Sequence, residues 1–492
     1  MRKLSVIGLY LVLALASSEA RAQDTGPREL TITLGITSST ARALAEAKTP
    51  TTSLTLQDLV EIALLNNAQV HVAAASIGEA EGLLSLARAQ AFPSGRLTGL
   101  FGGPTPEAKT EVQNDPSTLT PASYEGDLNF GQLGIQLRLQ GEAVQPLYTF
   151  EKISNLKKAA GHLVKAAEHN QTITSADVVV NVNKAFWTIQ LTRTFVKSLD
   201  EGIGTLSKVL EKIEELLDAD SPQVTENDRL RLKYALATLE VRRVEAAAVH
   251  EVAKQAMRLL LGWPQERSLE VIRQELDELP SETPRLEEVV AWARSSRPEI
   301  KALSEVVDAA RSFEDYRKSA FFPDIFLGGA ISAVYTSNAT NQTNPFIRDP
   351  FNLFSVAVGL GIRVELDVFT KLAQLEQAKA QTRVKEAQAA LVGQLVDLEV
   401  RKLHTEIVAG FERVQKLERA NRTARGWLTA STLAYDIGTG EADELIDAFL
   451  AWAASEAELQ TTRFNVLSKL VEMTRATGRL VGPDAQNNTN EE

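Results

Sequence analysis

The sequence predicts a mainly α-helical protein with a membrane β-barrel component, built from two copies of one unit. Each copy would supply long helices and two β-strands, giving four strands per protomer. Three observations lead to this fold class. They are an export signal at the N-terminus, an internal duplication over most of the chain, and segments in which apolar and polar residues alternate with period two.

The chain has 492 residues, 44% of them hydrophobic and 24% charged, close to the average for folded domains. Its formal charge of −12 and pI of about 5.2 argue against a nucleic-acid partner, which would call for a basic footprint. Arg2 and Lys3 precede an apolar run over 4–16, and Ala20-Arg21-Ala22 fits the small-x-small cleavage pattern. Residues 1–22 therefore read as a signal peptide cut before Gln23. No later run reaches the roughly 18 apolar residues of a membrane helix. There are no cysteines, which excludes disulfides, thiolate metal sites and a lipid-modified N-terminal cysteine. A membrane location would have to come from the fold itself.

The duplication orders the rest of the chain. Leu56-Gln57-Asp58-Leu59-Val60-Glu61 resembles Leu286-Glu287-Glu288-Val289-Val290-Ala291, and Phe92-Pro93 resembles Phe322-Pro323 at the same residue offset. Farther on, Leu147, Phe150, Lys152 and Ile153 match Leu366, Phe369, Lys371 and Leu372, and Asp228 and Ala235 match Asp447 and Ala454. The repeats are read as 54–280 and 281–480, after an N-terminal extension at 23–53 and before a polar tail at 481–492 expected to be disordered. Within the extension, 28–36 suits a strand and 38–48 a short helix.

Each repeat is expected to open with a helix, over 56–91 or 286–321, ended by proline. Two strands joined by a polar loop follow. A very long helix comes next, over 150–218 or 369–436, and then a last helix over 226–261 or 443–477. At 1.5 Å per residue the long helices would run about 100 Å. Their apolar stripe includes Ile153, Leu156, Leu163, Val164, Val179, Phe186 and Ile189, then Leu206, Leu210, Ile213 and Leu217. Such a stripe must be buried against other helices.

The strand signal is clearest in the second repeat. Phe354, Val356, Val358, Leu360, Ile362, Val364, Leu366 and Val368 alternate with Ser355, Ala357, Gly359, Gly361, Arg363, Glu365 and Asp367. In the first repeat Leu133, Ile135, Leu137 and Leu139 alternate with Gly134, Gln136, Arg138 and Gln140. About ten residues of apolar-out, polar-in alternation is the signature of a barrel strand in lipid; a half-buried soluble sheet gives the same pattern. Partner strands are expected over 96–102 and 324–335, with external loops over 103–127 and 336–351. Four strands cannot close a barrel, and open edges do not survive in lipid. Three copies would give a twelve-stranded barrel in a trimer, an even number within the known range.

In this order of elements the chain resembles the TolC-type outer-membrane efflux proteins, over residues 54–478. The local matches are Leu54-Thr55-Leu56-Gln57-Asp58-Leu59, Ala89-Gln90-Ala91-Phe92-Pro93 and Tyr435-Asp436-Ile437-Gly438-Thr439-Gly440. The resemblance implies a homotrimer with its barrel among outer-membrane lipids and a helical tunnel through the periplasm. It implies passive export, with substrates delivered by an inner-membrane pump of RND or ABC type through a periplasmic adaptor. It also implies a gate at the inner end, with an acidic ring at Glu444 and Asp447 and a latch tyrosine at Tyr435; the internal repeat makes Asp228 the first-repeat counterpart of Asp447, expected near it. At i, i+3 the two ring carboxylates would share a helix face and favour cations, although an acidic first turn also suits a helix dipole. Gly440 and Thr225 stand where some members carry a basic latch residue and its acidic partner, so a closed tip would be held differently here.

No catalytic, cofactor or metal constellation is recognised. The histidines, His71, His162, His169, His250 and His404, form no i, i+4 pair, which a helical zinc site would need. Gly359-Leu360-Gly361 lies inside a strand pattern and lacks the third glycine of a dinucleotide loop. The reading from another class is a periplasmic coiled-coil scaffold or adhesin, which would share the long helices but would need no lipid-facing strands.

Overall fold

The computed structural model describes residues 53–111, 125–219, 224–280, 285–339, 351–437 and 439–479, with side chains placed outside 103–133. The expected signal peptide, the extension except Ser53, and the tail lie outside the described residues. All that follows concerns the compact unit that begins at Leu54.

The helix expected over 56–91 is two helices, α1 (Leu56–Asn66) and α2 (Ala68–Ala89), broken at Asn67. Asn67 is extended; its carbonyl side chain accepts from the Gln69 amide, and its Nδ2 donates to the Leu260 carbonyl at 2.9 Å. The second repeat breaks at the equivalent place, into α5 (Leu286–Ser296) and α6 (Pro298–Ser319), around an extended Arg297. There the cause is visible in sequence, because Pro298 pushes the residue before it out of the helical region. The chain also begins α1 with a reciprocal cap, Thr55 Oγ1 against the Asp58 amide and the Asp58 carboxylate against the Thr55 amide, an arrangement that satisfies two otherwise orphaned donors.

Four antiparallel strands form one sheet in chain order: β1 (Ser94–Glu111), β2 (Glu125–Tyr148), β3 (Asp324–Thr336) and β4 (Leu353–Arg363). The loop expected over 103–127 is strand at both its ends, since β1 continues to Glu111 and β2 starts at Glu125, and 112–124 lie outside the described residues. The alternation read through Val368 outlasts the strand. β4 stops at Arg363 because its partner Asp324 is the first residue of β3, and beyond it no ladder is available. Register makes the alternation a property of the whole sheet. Leu97 faces Gly141, which faces Ile331, which faces Val356; Phe101, Leu137 and Tyr335 form another row. All the side chains of these rows lie on one face, and the large ones are exposed, Val358 by 73% and Leu360 by 74%. The opposite face carries Arg96, Arg138, Gln140, Glu142 and Ser355. Among the described residues the outer edges of β1 and β4 are unpaired.

The long helices are α3 (Lys152–Asp218) and α7 (Val368–Asp436), followed by α4 (Glu226–Leu260) and α8 (Ala442–Ala476). The turn into α3 passes through Phe150 and Glu151, both at positive φ, and the Phe150 ring stacks on Phe322 with centroids 5.4 Å apart. Near the sheet α3 packs between α2 and α6, and α6 packs on α7; farther away α3 packs on α4 and α8, and α8 on α7. The chain is thus a layer four helices wide. α4 meets the break at Asn67 and α8 meets the break at Arg297. At both junctions the chain leaves the helix through a glycine at positive φ, Gly262 and Gly478. A Cβ on Gly262 would lie 2.5 Å from the Asn66 carbonyl oxygen, and one on Gly478 would lie 2.7 Å from the backbone of Ser296.

The expected stripe of α3 is largely buried: Phe186, Ile189, Leu206 and Ile213 are fully enclosed, while Ile153, Leu156, Leu163, Val164, Val179, Leu210 and Leu217 are half-buried. The largest cluster lies mid-helix, where Phe186 and Ile189 join Leu59, Met257, Leu261 and Val271. Each large side chain so buried contributes on the order of 1.5–3 kcal/mol. The segment after Gly262 closes over it, with Trp187 Nε1 donating to Asp277 at 2.9 Å and Gln190 Nε2 donating to the Ile272 carbonyl at 2.6 Å.

Candidate functional site

The site expected at the inner end lies where α3 turns into α4 and α7 into α8, at the far end of the helices from the sheet. Its apolar floor contains Leu206, Ile213, Val224, Leu232, Ile446 and Phe449, with Tyr435 packed against it. Thr225 is the N-cap of α4. Its hydroxyl and backbone amide both donate to the Asp228 carboxylate at 2.7 Å, and Asp228 returns its amide to the Thr225 hydroxyl. The absent acidic latch residue is therefore a helix cap. Gly440 is equally structural. Its amide donates to the Ala434 carbonyl at 2.9 Å, and a Cβ there would lie 2.9 Å from Ala434 and the Tyr435 nitrogen. No larger residue fits this turn.

One arginine joins the two hairpins. Arg231, on α4, reaches α8 with both ends of its guanidinium: Nη1 lies 2.7 Å from Asp443 and Nη2 lies 2.6 Å from Asp447. The two carboxylates hold the Arg231 guanidinium above its ordinary pKa, Asp443 most strongly. Asp443 in turn meets the Asp228 side chain. Burial raises Asp443 and the neighbouring Asp228 raises it further, against the opposing pull of Arg231. Asp228 is also raised by burial, but the two hydrogen bonds from Thr225, with the Asp443 hydrogen bond and the Arg231 charge, outweigh this and leave it below the usual range. The pair divides its protons unequally for a visible reason. Asp228 accepts two donors, whereas Asp443 Oδ1 is sealed from solvent without any, so Asp443 is the member that takes up a proton.

Tyr435 lies beside this pair. Its hydroxyl is buried without a hydrogen-bond partner, and Lys212 Nζ sits 4.8 Å above its ring. Burial, then Asp436 and Asp228, raise the tyrosine above its ordinary pKa. Glu444 stands apart, exposed, accepting from Trp427 Nε1 at 3.4 Å.

All four expected residues thus lie at this tip, with two corrections. Asp447 is paired to Arg231, so Glu444 and Asp447 do not form a free carboxylate pair. Asp228 is also not the positional counterpart of Asp447. α4 and α8 are both 35 residues long; laid start to start, Asp228 falls on Glu444 and Arg231 on Asp447. The turns before them differ in length, which misplaced the sequence match. The same alignment would have pointed to Arg231, and Asp443 was visible only as part of an acidic first turn. Among the described residues no group of three or more His, Cys, Asp or Glu could hold a metal ion, and no helix is long and apolar enough to cross a membrane.

This fold, a layer of long helices carrying a sheet with one apolar exposed face, is shared with solved outer-membrane channels. Residues 289–479 match the family model described as outer membrane efflux protein. The outer membrane protein VceC from Vibrio cholerae aligns with a TM-score of 0.67 at 18% identity, covering 86% of this chain and 96% of that one. The outer-membrane channel OprN gives 0.68 at 19% identity, covering 86% and 89%. The CmeC outer membrane channel of Campylobacter jejuni gives 0.67 at 14% identity, covering 89% and 88%. Among curated proteins, the toluene efflux pump outer membrane protein TtgC and the antibiotic efflux pump outer membrane protein ArpC, both of Pseudomonas putida, are 23% identical over 279 residues, 55% of this chain. The chain spans about half the length of these curated relatives, 52%.

Proposed function

We propose that the protein is one subunit of a homotrimeric outer-membrane channel, a passive conduit for export across the periplasm and the outer membrane. The observation that carries this reading is the sheet. It exposes a continuous apolar face and, among the described residues, leaves both edges open, a combination that is unstable in water and also in lipid unless neighbouring copies pair the edges. Three copies close the sheet into twelve strands, and the four-helix layer continues the wall into the periplasm. A periplasmic adaptor and an inner-membrane pump would deliver the substrate, and the chain itself would perform no chemistry. The test is fractionation and conductance. The mature chain is expected in outer membranes as a heat-modifiable trimer that passes ions in planar bilayers. Recovery as a soluble periplasmic monomer would refute the reading.

The tip would then be the gate. Arg231 holds α4 to α8 through Asp443 and Asp447, Tyr435 packs beneath, and Glu444 remains as the exposed carboxylate of the ring, once per subunit. Glu444→Ala is expected to lower cation selectivity and weaken block by a trivalent cation applied at the tip. Unchanged selectivity and block would remove Glu444 from the gate.

A further inference from the structure

The polar face of the sheet carries three arginines with described side chains, and their surroundings differ. Arg96 lies across the β1–β2 ladder from Glu142, with Nε 3.9 Å from the carboxylate. Arg363 is paired in register with Asp324, and its guanidinium stands 4.9 Å over the Phe326 ring. Arg138 has neither kind of support. Its cross-strand partners are Leu100 on β1 and Val334 on β3. Gln136 and Gln140 flank it on β2, and Gln136 Nε2 is itself turned to Thr336 Oγ1 at 3.3 Å. No carboxylate is paired with Arg138 among the described residues. Its Nε is sealed from solvent and makes no hydrogen bond.

A half-buried guanidinium without a counter-ion among the described residues is costly, and a polar group left so calls for an explanation. We infer that Arg138 is a specificity-determining residue, an anion-binding point on the inner wall of the barrel that contacts carboxylate or phosphate groups of the passing molecule. The inference rests on the channel reading, in which the polar face lines the lumen. There, threefold symmetry brings three Arg138 side chains to one level, the arrangement that rings of basic residues use to attract anions. Low-dielectric walls concentrate their field. Among the described residues, the flanking side chains on its own strand, Gln136 and Gln140, are neutral and do not cancel that field.

The experiment uses full-length trimers in planar bilayers, with inorganic pyrophosphate added on the side of the external loops. Wild-type current is expected to be blocked in a concentration-dependent way. Arg138→Gln should raise the half-blocking concentration about tenfold, the effect of losing one charge-assisted hydrogen bond. Arg138→Lys, which keeps the charge, should stay near wild type, and Arg96→Gln, which removes an arginine facing a carboxylate, should change little. Heat-modified mobility of each variant reports on assembly. Wild-type current that pyrophosphate does not block, or equal block in wild type and Arg138→Gln, would overturn the inference and leave the channel standing. Absence of wild-type ion current would overturn the channel reading and this inference with it.

Discussion

At the residue scale, the tip depends on how protons and one arginine are shared. Asp443 has a pKa raised in the folded state, so its contact with Asp228 is most favourable when it is protonated. That contribution weakens as pH rises from the ordinary aspartate range, about 3.9, through the raised value. Asp228 has the opposite sign: its capping bonds stabilise above the ordinary range and are lost as pH falls through its lowered value. Conductance of the channel is therefore expected to rise with pH above the ordinary aspartate range. Asp443→Asn, which mimics the protonated form, should flatten that rise; an unaltered pH profile would exclude Asp443 as its source. Arg231→Ala removes both bridges from α4 to α8. These pairs are about half exposed, so each contributes on the order of 0–1 kcal/mol. The expected outcome is a higher resting conductance with little change in melting temperature.

At the scale of elements, the glycine turns and helix caps set where one segment ends and the next begins. Gly262→Ala would force a Cβ against the Asn66 carbonyl at positive φ. It is expected to cost about 1–3 kcal/mol, read as a lower midpoint in denaturant unfolding, and Gly478→Ala should behave alike. Most elements were legible in the sequence. The long helix α3 came from apolar spacing, and the ends of the first helices from Phe92-Pro93 and Phe322-Pro323. The break at Arg297 was equally written, in Pro298. The break at Asn67 was not, because it depends on a hydrogen bond to Leu260, nearly two hundred residues away. The end of β4 was hidden for a similar reason: alternation continues to Val368, but a strand lasts only as far as its partner.

At the scale of the whole molecule, the two faces of the sheet should respond differently to charge. Leu360→Arg on the apolar face is expected to cost roughly 2–4 kcal/mol at the bilayer midplane and to abolish the heat-modifiable trimer. Ser355→Arg on the opposite face should leave the trimer intact and alter conductance alone. Equal effects would refute the assignment of faces.

The sequence alone determined that the chain is duplicated, that its helices are long and striped, and that some strands have an apolar side. Those properties are periodic and local, so they survive without coordinates. Only the tertiary structure decided which charges meet. Arg231 reaches Asp443 and Asp447 across some two hundred residues, and Asp228 meets Asp443, because two helices of equal length start side by side. Pairing of this kind depends on turn length and register, and a change of one or two residues in a turn is enough to move an acidic residue opposite an arginine.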